Sequence, residues 1–295
     1  MQKRLFGSRL WWAIPFGIAV FLSAGGCRRT KPPAVDAPRL NDKVMLRDIT
    51  FYSHALNRDT VYRVIMPRQI GMGQRLPVVY LLHGGGGSYR DWSNYSDVGR
   101  LAEHGLILVM PEGDESYYTN AASRPEDRYE DFITTDLISD VEDRFPVTLG
   151  RAHRAIIGVS MGGFGAVKNA LKHPGLFAFV GGLSSALDVP SRPFSIKRYG
   201  QWRHHRSIFG PWQSEQQHNN DPFALARTAD AGAAPYFFLT CGDKEGLLVA
   251  NRQFAALLEQ RHFRYEFHAV PGGHDWNQWN GQIGNCFDVL RQKLD

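Results

Sequence analysis

A Gly-x-Ser-x-Gly motif at residues 158–162 constrains the fold of this chain more than any other feature. It follows the short apolar run Ala155–Val159 and precedes a helical pattern over Gly162–Lys172. A serine at such a strand–turn–helix junction exposes its hydroxyl above the end of a buried strand, and the flanking glycines let the helix approach that strand closely. The motif therefore predicts a nucleophile, Ser160, at the edge of a buried sheet, in preference to a glycine-rich turn with an idle serine.

Short apolar runs alternate with longer helical patterns along most of the chain. Continuous apolar runs of this length predict strands that are buried on both faces. We expect strands at Val44–Ser53, Thr60–Met66, Pro77–Leu82, Leu106–Met110, Ala155–Val159, Phe179–Leu183, Tyr236–Thr240 and Tyr265–Val270. We expect helices near Val98–His104, Tyr129–Arg144, Gly162–Lys172, Leu248–Arg261 and Trp276–Lys293. The alternation predicts an α/β fold, with an antiparallel opening pair and a mostly parallel central sheet covered by helices on both faces.

The basic residues that give the chain its positive charge are concentrated at the N-terminus. The formal net charge is +5, but residues 1–40 hold seven Lys or Arg against one acidic residue. The remaining 255 residues hold 27 basic against 28 acidic side chains. The domain that follows is thus close to neutral, which argues against nucleic acid as a partner.

Residues 1–27 resemble a bacterial lipoprotein signal. Three basic residues precede the apolar run Leu10–Gly26, and small residues lead to Cys27. Ala24 stands where that signal usually carries an aliphatic residue, and an uncleaved anchor or a conventional secretory signal remains the alternative. We expect an exported protein that is lipidated at Cys27 and meets a membrane only through this N-terminal lipid or anchor. Residues 28–40 contain three prolines and read as a tether, so the folded domain is expected at 41–295.

A serine hydroxyl becomes a useful nucleophile only when a base accepts its proton. His274 follows the last predicted strand and precedes the last predicted helix, where it could reach Ser160 across the ends of the strands. An acid is needed to orient this histidine, and both Asp243 and Glu245 follow the strand Tyr236–Thr240. Glu245 is preferred, because in hydrolases with a serine at a turn of this kind the acid commonly stands three residues after the turn glycine, here Gly242. Asp243 remains the alternative.

The oxyanion of a tetrahedral intermediate needs backbone N–H donors. One is expected at Met161, directly after the nucleophile. The other is expected in the run His83–Gly87, which holds four glycines, at Gly85 or, as a second choice, at Gly86. No Gly-Lys-Ser or Gly-Lys-Thr follows this run, and no Cys, His or acidic cluster has the spacing of zinc ligands. The sequence therefore implies neither a cofactor nor a metal.

Three segments together resemble the putative-esterase family of α/β-hydrolases: residues 81–86 (Leu-Leu-His-Gly-Gly-Gly), 158–163 (Gly-Val-Ser-Met-Gly-Gly) and 272–276 (Gly-Gly-His-Asp-Trp). This family includes esterase D, tributyrin esterase, feruloyl and acetyl xylan esterases and the antigen 85 mycolyltransferases. The similarity runs from about Val44 to Leu294 and implies the α/β-hydrolase fold. Most members carry Asp at the acid position, whereas the mycolyltransferases, like this chain, carry Glu.

The resemblance also implies where the substrate binds. Residues 117–120 and 129–131 are similar to the segments that line the family's acyl or alcohol pocket, which makes Tyr118 and Asn120 candidate substrate-binding residues. Trp276, beside His274, is a further candidate for the pocket wall, although packing in the core explains it equally.

A long connection at about 185–221 separates two late strands and mixes basic with aromatic residues. A solvated insertion with aromatic anchors is the favoured interpretation, since loops of this length are usually lids or disordered. A cap that contacts substrate and a nucleic-acid platform are the alternatives. Its basic and aromatic residues are Arg192, Phe194, Lys197, Arg198, Tyr199, Trp202, Arg203, His204, His205, Arg206, Phe209 and Trp212.

These features lead to the hypothesis of a serine carboxylesterase that hydrolyses short-acyl, feruloyl or acetyl-carbohydrate esters through a Ser-His-Glu triad and an acyl-enzyme. Its expected partner is a small-molecule or carbohydrate ester. Two alternatives remain open at this point. One is an acyltransferase that moves an acyl group to a sugar or lipid alcohol, and the other is a non-catalytic carbohydrate-binding protein on a hydrolase scaffold.

Overall fold

The computed structural model describes residues 35–294 of the chain. The predicted signal segment 1–27 with Cys27, and the tether up to residue 34, lie outside the described residues. Within the described part of the chain, no helix is both long and apolar enough to cross a membrane.

Eight strands form one sheet in the order β1-β2-β4-β3-β5-β6-β7-β8. β1 pairs with β2 and β2 with β4 in antiparallel fashion, and all other neighbours are parallel. The antiparallel opening pair and the mostly parallel sheet are therefore as predicted. The strands are β1 Val44–Ser53, β2 Arg58–Pro67, β3 Val78–Leu82, β4 Ile107–Pro111, β5 Arg154–Val159, β6 Phe179–Leu183, β7 Tyr236–Gly242 and β8 Tyr265–Val270.

Among residues 35–294, ten α-helices and several shorter turns connect or follow these strands. The predicted helix at Tyr129–Arg144 is interrupted by a π-helical turn at Phe132–Asp136, and the predicted helix at Val98–His104 ends in a 3-10 turn, Ala102–His104. The helices are α1 Asp91–Tyr95, α2 Val98–Leu101, α3 Tyr129–Asp131, α4 Leu137–Arg144, α5 Met161–Lys172, α6 Tyr199–Phe209, α7 Glu215–His218, α8 Pro222–Thr228, α9 Leu248–Gln260 and α10 Trp276–Arg291.

Two hydrophobic cores lie on opposite faces of the sheet. Helices α4, α5 and α9 contribute to one core, and α2 and α10 contribute to the other. Strands β3 to β6 are buried along their whole length, as the continuous apolar runs predict. Burial of each large apolar side chain stabilises the fold by about 1.5–3 kcal/mol. The candidate site residues directly follow these buried strands, so their backbone positions are held by the core.

The connection between β6 and β7 is largely helical, which the sequence did not predict. It contains α6, α7 and α8 and two 3-10 turns, Val189–Ser191 and Ile196–Arg198. His205, Ile208 and Phe209 of α6 are buried, and their spacing places them on one face of the helix. Arg203, His204 and Arg206 interrupt this apolar pattern in the sequence, which explains why the sequence favours a solvated loop.

Candidate active site

Ser160 occupies a strained turn between β5 and α5. Its φ and ψ angles are 55° and −113°, a conformation that costs a residue with a Cβ roughly 1–3 kcal/mol. The Ser160 N–H donates to the carbonyl of Leu183 at 2.9 Å, and the Ser160 carbonyl accepts from the N–H of Ala186 at 3.1 Å. Backbone hydrogen bonds to the end of β6 and the residues after it thus hold the serine beyond the carboxyl edge of the sheet.

The glycines of the motif are required by close packing. A Cβ added at Gly158 would lie 2.1 Å from the carbonyl carbon of Gly162, and one at Gly162 would lie 2.2 Å from the carbonyl oxygen of Leu82. Helix α5 therefore begins in direct contact with the ends of β3 and β5. Larger residues at either position would push the start of α5, and with it Met161, away from the sheet.

Ser160, His274 and Glu245 form a continuous hydrogen-bonded line. Nε2 of His274 lies 2.8 Å from Oγ of Ser160, and Nδ1 of His274 lies 2.6 Å from Oε2 of Glu245. If Nδ1 carries the proton and donates to Glu245, Nε2 is free to accept the proton of the serine hydroxyl. The structure thus brings together the predicted nucleophile, base and preferred acid.

The position of Glu245 is fixed by two further donors. Its Oε1 accepts from the N–H of Gly242 at 2.8 Å and from the hydroxyl of Ser184 at 2.6 Å, and its side chain is fully buried. Asp243 is exposed, and its Oδ1 accepts from the N–H of Gly272 at 3.1 Å. Asp243 therefore holds the loop before His274, while Glu245 contacts the imidazole itself.

Two backbone N–H groups are candidate oxyanion donors. Met161 and Gly85 line the cavity that holds Ser160 and His274, and neither N–H has an acceptor within residues 35–294. The N–H of Gly86, the second choice, donates to Oε1 of Glu115. Gly85 is thus free to bind an oxyanion, and Gly86 is already engaged.

His83 fixes the peptide that carries the Gly85 N–H. Its Nδ1 lies 2.8 Å from the carbonyl oxygen of Gly84, which also accepts from the N–H of Gly87 at 3.1 Å. Because the carbonyl of Gly84 and the N–H of Gly85 belong to one planar trans peptide, they point in opposite directions. A bond that holds the carbonyl therefore also sets the direction of the Gly85 N–H.

Glu112 holds His83 from the other side of the ring. Its Oε1 lies 3.1 Å from Nε2 of the histidine. Burial opposes the charged form of His83, but Glu112 and the Gly84 carbonyl outweigh it and raise the pKa of His83 above its usual value. Burial likewise opposes ionisation of Glu112, yet His83 lowers the pKa of this carboxyl. The N–H of Gly113 lies 2.9 Å from Nε2 of His83 and 3.0 Å from Oε1 of Glu112.

The catalytic cavity has a volume of about 410 Å³ and includes residues that the sequence analysis did not identify. Glu115 and Tyr117 lie on one wall, Leu247 lies beside Glu245, and the connection between β6 and β7 contributes Arg192 and Gln201. That connection is therefore part of the site wall, which agrees better with the cap alternative than with a solvated insertion.

The two adjacent histidines of α6 attach this helix to the cavity wall. Nε2 of His204 lies 2.9 Å from the carbonyl oxygen of Glu115, and Nε2 of His205 lies 3.1 Å from the hydroxyl of Tyr117. Among residues 35–294, no group of three or more His, Cys, Asp or Glu is arranged to hold a metal.

The three candidate substrate-binding residues lie outside the catalytic cavity. Tyr118 is fully buried, and its hydroxyl donates to the carbonyl of His83 at 3.1 Å. Tyr117 and Tyr118 have φ angles of 53° and 51°, so the chain turns sharply here and it is Tyr117 that faces the cavity. The structure therefore places Tyr117, and not Tyr118, in the wall of this cavity.

Asn120 and Trp276 make contacts that stabilise the fold. Oδ1 of Asn120 accepts from the N–H groups of Glu130 and Asp131 at 3.1 and 3.2 Å, at the start of α3. The ring centroid of Trp276 lies 5.4 Å from that of Trp92, in an edge-to-face arrangement. Neither side chain lines the cavity.

The segment 129–131 does not line the cavity, but it contacts residues that hold the cavity wall in place. Nζ of the fully buried Lys168 donates to Glu130 and to the carbonyl of Tyr118, both at 2.8 Å. Burial lowers the pKa of Lys168 to about 8, whereas the charge of Lys168 overcomes the effect of burial on Glu130 and holds the pKa of Glu130 far below its usual range. This ion pair anchors the turn that presents Tyr117.

Comparison with known proteins gives concordant matches. Residues 53–286 match the model of the family described as Putative esterase. The acetyl esterase of Caldicellulosiruptor saccharolyticus is 28% identical over 265 residues, which cover 85% of this chain and 99% of that enzyme.

Two solved structures resemble this one closely. The substrate-bound fluorophosphonate-binding serine hydrolase F (FphF) of Staphylococcus aureus is 25% identical with a TM-score of 0.73, over 84% of this chain and 98% of that one. A ferulic acid esterase is also 25% identical with a TM-score of 0.73, over 86% and 100% of the two chains. These matches and the sheet topology confirm the predicted α/β-hydrolase fold.

Proposed function

Since this chain belongs to the putative-esterase family and is a serine carboxylic ester hydrolase, we propose that Ser160, His274 and Glu245 are its catalytic triad. The observation that carries this proposal is the hydrogen-bonded line from Oγ of Ser160 through the imidazole to Glu245, with contacts of 2.8 and 2.6 Å. Nucleophile, base and orienting acid in this geometry perform acyl transfer on several unrelated folds.

Acylation begins when Nε2 of His274 accepts the proton of Ser160 while Oγ forms a bond to the acyl carbon. The carbonyl electron pair moves onto oxygen, and the N–H groups of Met161 and Gly85 stabilise the resulting oxyanion. One such donor contributes about 10²- to 10³-fold to kcat. When the intermediate collapses, the bond to the alcohol oxygen breaks and His274 returns its proton to the leaving alcohol.

Deacylation uses the same groups in the same order. His274 accepts a proton from a water molecule, whose oxygen bonds to the acyl carbon of the acyl-enzyme. Collapse of the second oxyanion breaks the bond to Ser160, and His274 donates its proton to the serine oxygen. The enzyme is then restored, with Glu245 holding the imidazole in one orientation throughout.

The substrates we propose are small-molecule or carbohydrate esters with short or aromatic acyl groups. Support comes from the acetyl esterase and ferulic acid esterase among the relatives and from a cavity of about 410 Å³ that opens directly on Ser160.

Replacement of the nucleophile tests this mechanism. We expect the wild-type protein to hydrolyse p-nitrophenyl acetate and to be labelled by a fluorophosphonate probe, and Ser160→Ala to do neither while keeping its circular dichroism spectrum. Ser191→Ala, which changes an exposed serine outside the cavity, serves as the matched control and should behave as wild type. Turnover retained by Ser160→Ala would falsify the triad.

Export and lipidation at Cys27 form a separate proposal, because the signal-like features lie at residues 1–27, outside the described residues. The basic, apolar and small-residue pattern described above supports it. Growth of expressing cells with labelled palmitate should label the wild-type protein and leave Cys27→Ala unlabelled. Absence of label from the wild type overturns lipidation, and a product confined to the cytoplasm overturns export.

A further inference from the structure

A second cavity adjoins the one that holds Ser160. It has a volume of about 440 Å³ and lies within the connection between β6 and β7. Arg192 and Gln201 line both cavities. Because the two cavities share these lining residues, a substrate whose ester lies at Ser160 can extend past Arg192 and Gln201 into the second cavity.

The second cavity is cationic. Its charged walls are Arg192, Lys197 and Arg198 against the single acid Asp188. Asp188 is paired with Arg192 through contacts of 2.7 and 3.0 Å. Lys197 and Arg198 form no ion pair within residues 35–294, so their charges remain available to a ligand.

A buried histidine also lines the second cavity. Burial, and next to it the positive charge of Arg192, lower the pKa of His205 to about 4. His205 is therefore neutral near neutral pH, and it adds no charge to the three cationic side chains.

An aromatic surface completes the cavity. Trp202 lines it, and the rings of Phe194 and Tyr199 pack against Trp202 with centroid distances of 5.2 and 6.3 Å. A planar ring held in this way offers a surface to the apolar face of a sugar or to another ring.

The two cavities differ in the sign of their charge. Next to the oxyanion position, the carboxylate of Glu115 accepts the N–H of Gly86 and lies against Gly85. A carboxylate of the substrate is therefore repelled next to Glu115 and attracted beyond Arg192. This polarity orients a substrate that carries one negative charge at a distance from its ester bond.

We propose that the second cavity is a subsite for a carboxylate-bearing part of the ester substrate, held by Lys197 and Arg198 and packed on Trp202. The proposal rests on the catalytic role of Ser160. The carboxylate belongs either to the acyl group or to the alcohol, and the experiment has one arm for each source.

The test compares matched esters at low ionic strength. The alcohol arm uses O-acetylated methyl glucuronoside against O-acetylated methyl glucoside, and the acyl arm uses the p-nitrophenyl monoester of succinic acid against p-nitrophenyl butyrate. In one arm we expect kcat/KM to favour the anionic ester. Lys197→Gln/Arg198→Gln should lower kcat/KM for that ester by about three- to tenfold and leave the neutral ester within about twofold. Salt should weaken the preference, since it screens exposed charges.

The control removes the same number of exposed charges elsewhere. Arg47→Gln/Arg100→Gln changes two exposed arginines on β1 and α2 and should leave both ratios unchanged. Equal kcat/KM for anionic and neutral esters in both arms overturns the subsite, as does an equal loss in the two double variants. Hydrolysis of the neutral esters in that case leaves the proposed function intact.

Binding by an inactive variant gives a readout that is independent of turnover. If the alcohol carries the charge, calorimetric titration of Ser160→Ala should show that O-acetylated methyl glucuronoside binds more tightly than the glucoside. If the acyl group carries the charge, succinate should bind more tightly than butyrate. Equal binding within both pairs overturns the subsite, even if the wild type hydrolyses none of these esters. If only the proposed function fails, the difference in binding remains.

Discussion

Nδ1 of His83 lies 2.8 Å from the carbonyl oxygen of Gly84, and this contact sets the direction of the next N–H along the chain, that of Gly85. The imidazole is completely buried, and its polar contacts are with Gly84, Glu112 and Gly113. It affects an oxyanion only by fixing the orientation of the peptide between Gly84 and Gly85. His83 is therefore a positioning residue whose effect should be seen in kcat.

Replacement of His83 by Asn and by Leu separates this effect from stability. Asn places its amide nitrogen at the same distance from the backbone as Nδ1 and keeps the donor to Gly84, whereas Leu removes it; both lose the contact with Glu112. We expect His83→Leu to lower kcat for p-nitrophenyl acetate by about ten- to a hundredfold with little change in KM, and His83→Asn to recover most of it. Equal losses in the two variants, matched by equal falls in Tm, would show a structural role only.

The identity of the acid is tested by Glu245→Gln and Asp243→Asn. The amide of Gln can present its N–H to Nδ1 of His274 and so favour the unproductive tautomer, which in a comparable triad costs about 10⁴-fold in kcat. Asp243 contacts the N–H of Gly272, so Asp243→Asn should stay within about tenfold of wild type. Stopped-flow release of p-nitrophenol measures both. If Asp243→Asn has the larger effect, the acid has been assigned wrongly.

The strands and the serine turn were predictable because their signals are local. A continuous apolar run identifies a strand buried on both faces, and the glycines at 158 and 162 reflect contacts within a few residues of Ser160. The position of His274 followed from its place after the last strand. Each of these inferences needed only the order of the elements in the chain.

The walls of the cavity were not predictable, because they depend on conformation and on distant contacts. Two consecutive residues with positive φ turn Tyr117 towards the cavity and Tyr118 away from it, and neither residue type requires this. Gln201 reaches the site on α6, which contacts Tyr117 through His205. A chain separation of nearly ninety residues between these partners hides that contact from any local pattern.

Gly162→Ala should destabilise the protein because its Cβ would lie 2.2 Å from the carbonyl oxygen of Leu82, and backbone on both sides prevents relief. Overpacking of this kind costs about 1–3 kcal/mol. Gly175→Ala is the matched control, since nothing lies within 4 Å of its added Cβ, and it should change the free energy of unfolding by about 0.5 kcal/mol or less. Urea unfolding monitored by tryptophan fluorescence measures both, and equal midpoints would contradict the packing argument.

Glu130 should make the stability of the fold sensitive to acid. Burial would raise the pKa of this carboxyl, but the charge of Lys168 and the hydrogen bond to His173 hold it far below its usual range. The unfolded chain therefore binds a proton near pH 4.3 that the folded chain does not bind. The stabilisation is present above that pH and is lost as pH falls below it, at about 1.4 kcal/mol per pH unit. Glu130→Gln lacks this carboxyl, so its free energy of unfolding, although lower at pH 7, should fall less steeply between pH 4 and pH 3. Urea titrations across that range give the two slopes, and parallel slopes would show that Glu130 does not stay ionised in the folded protein.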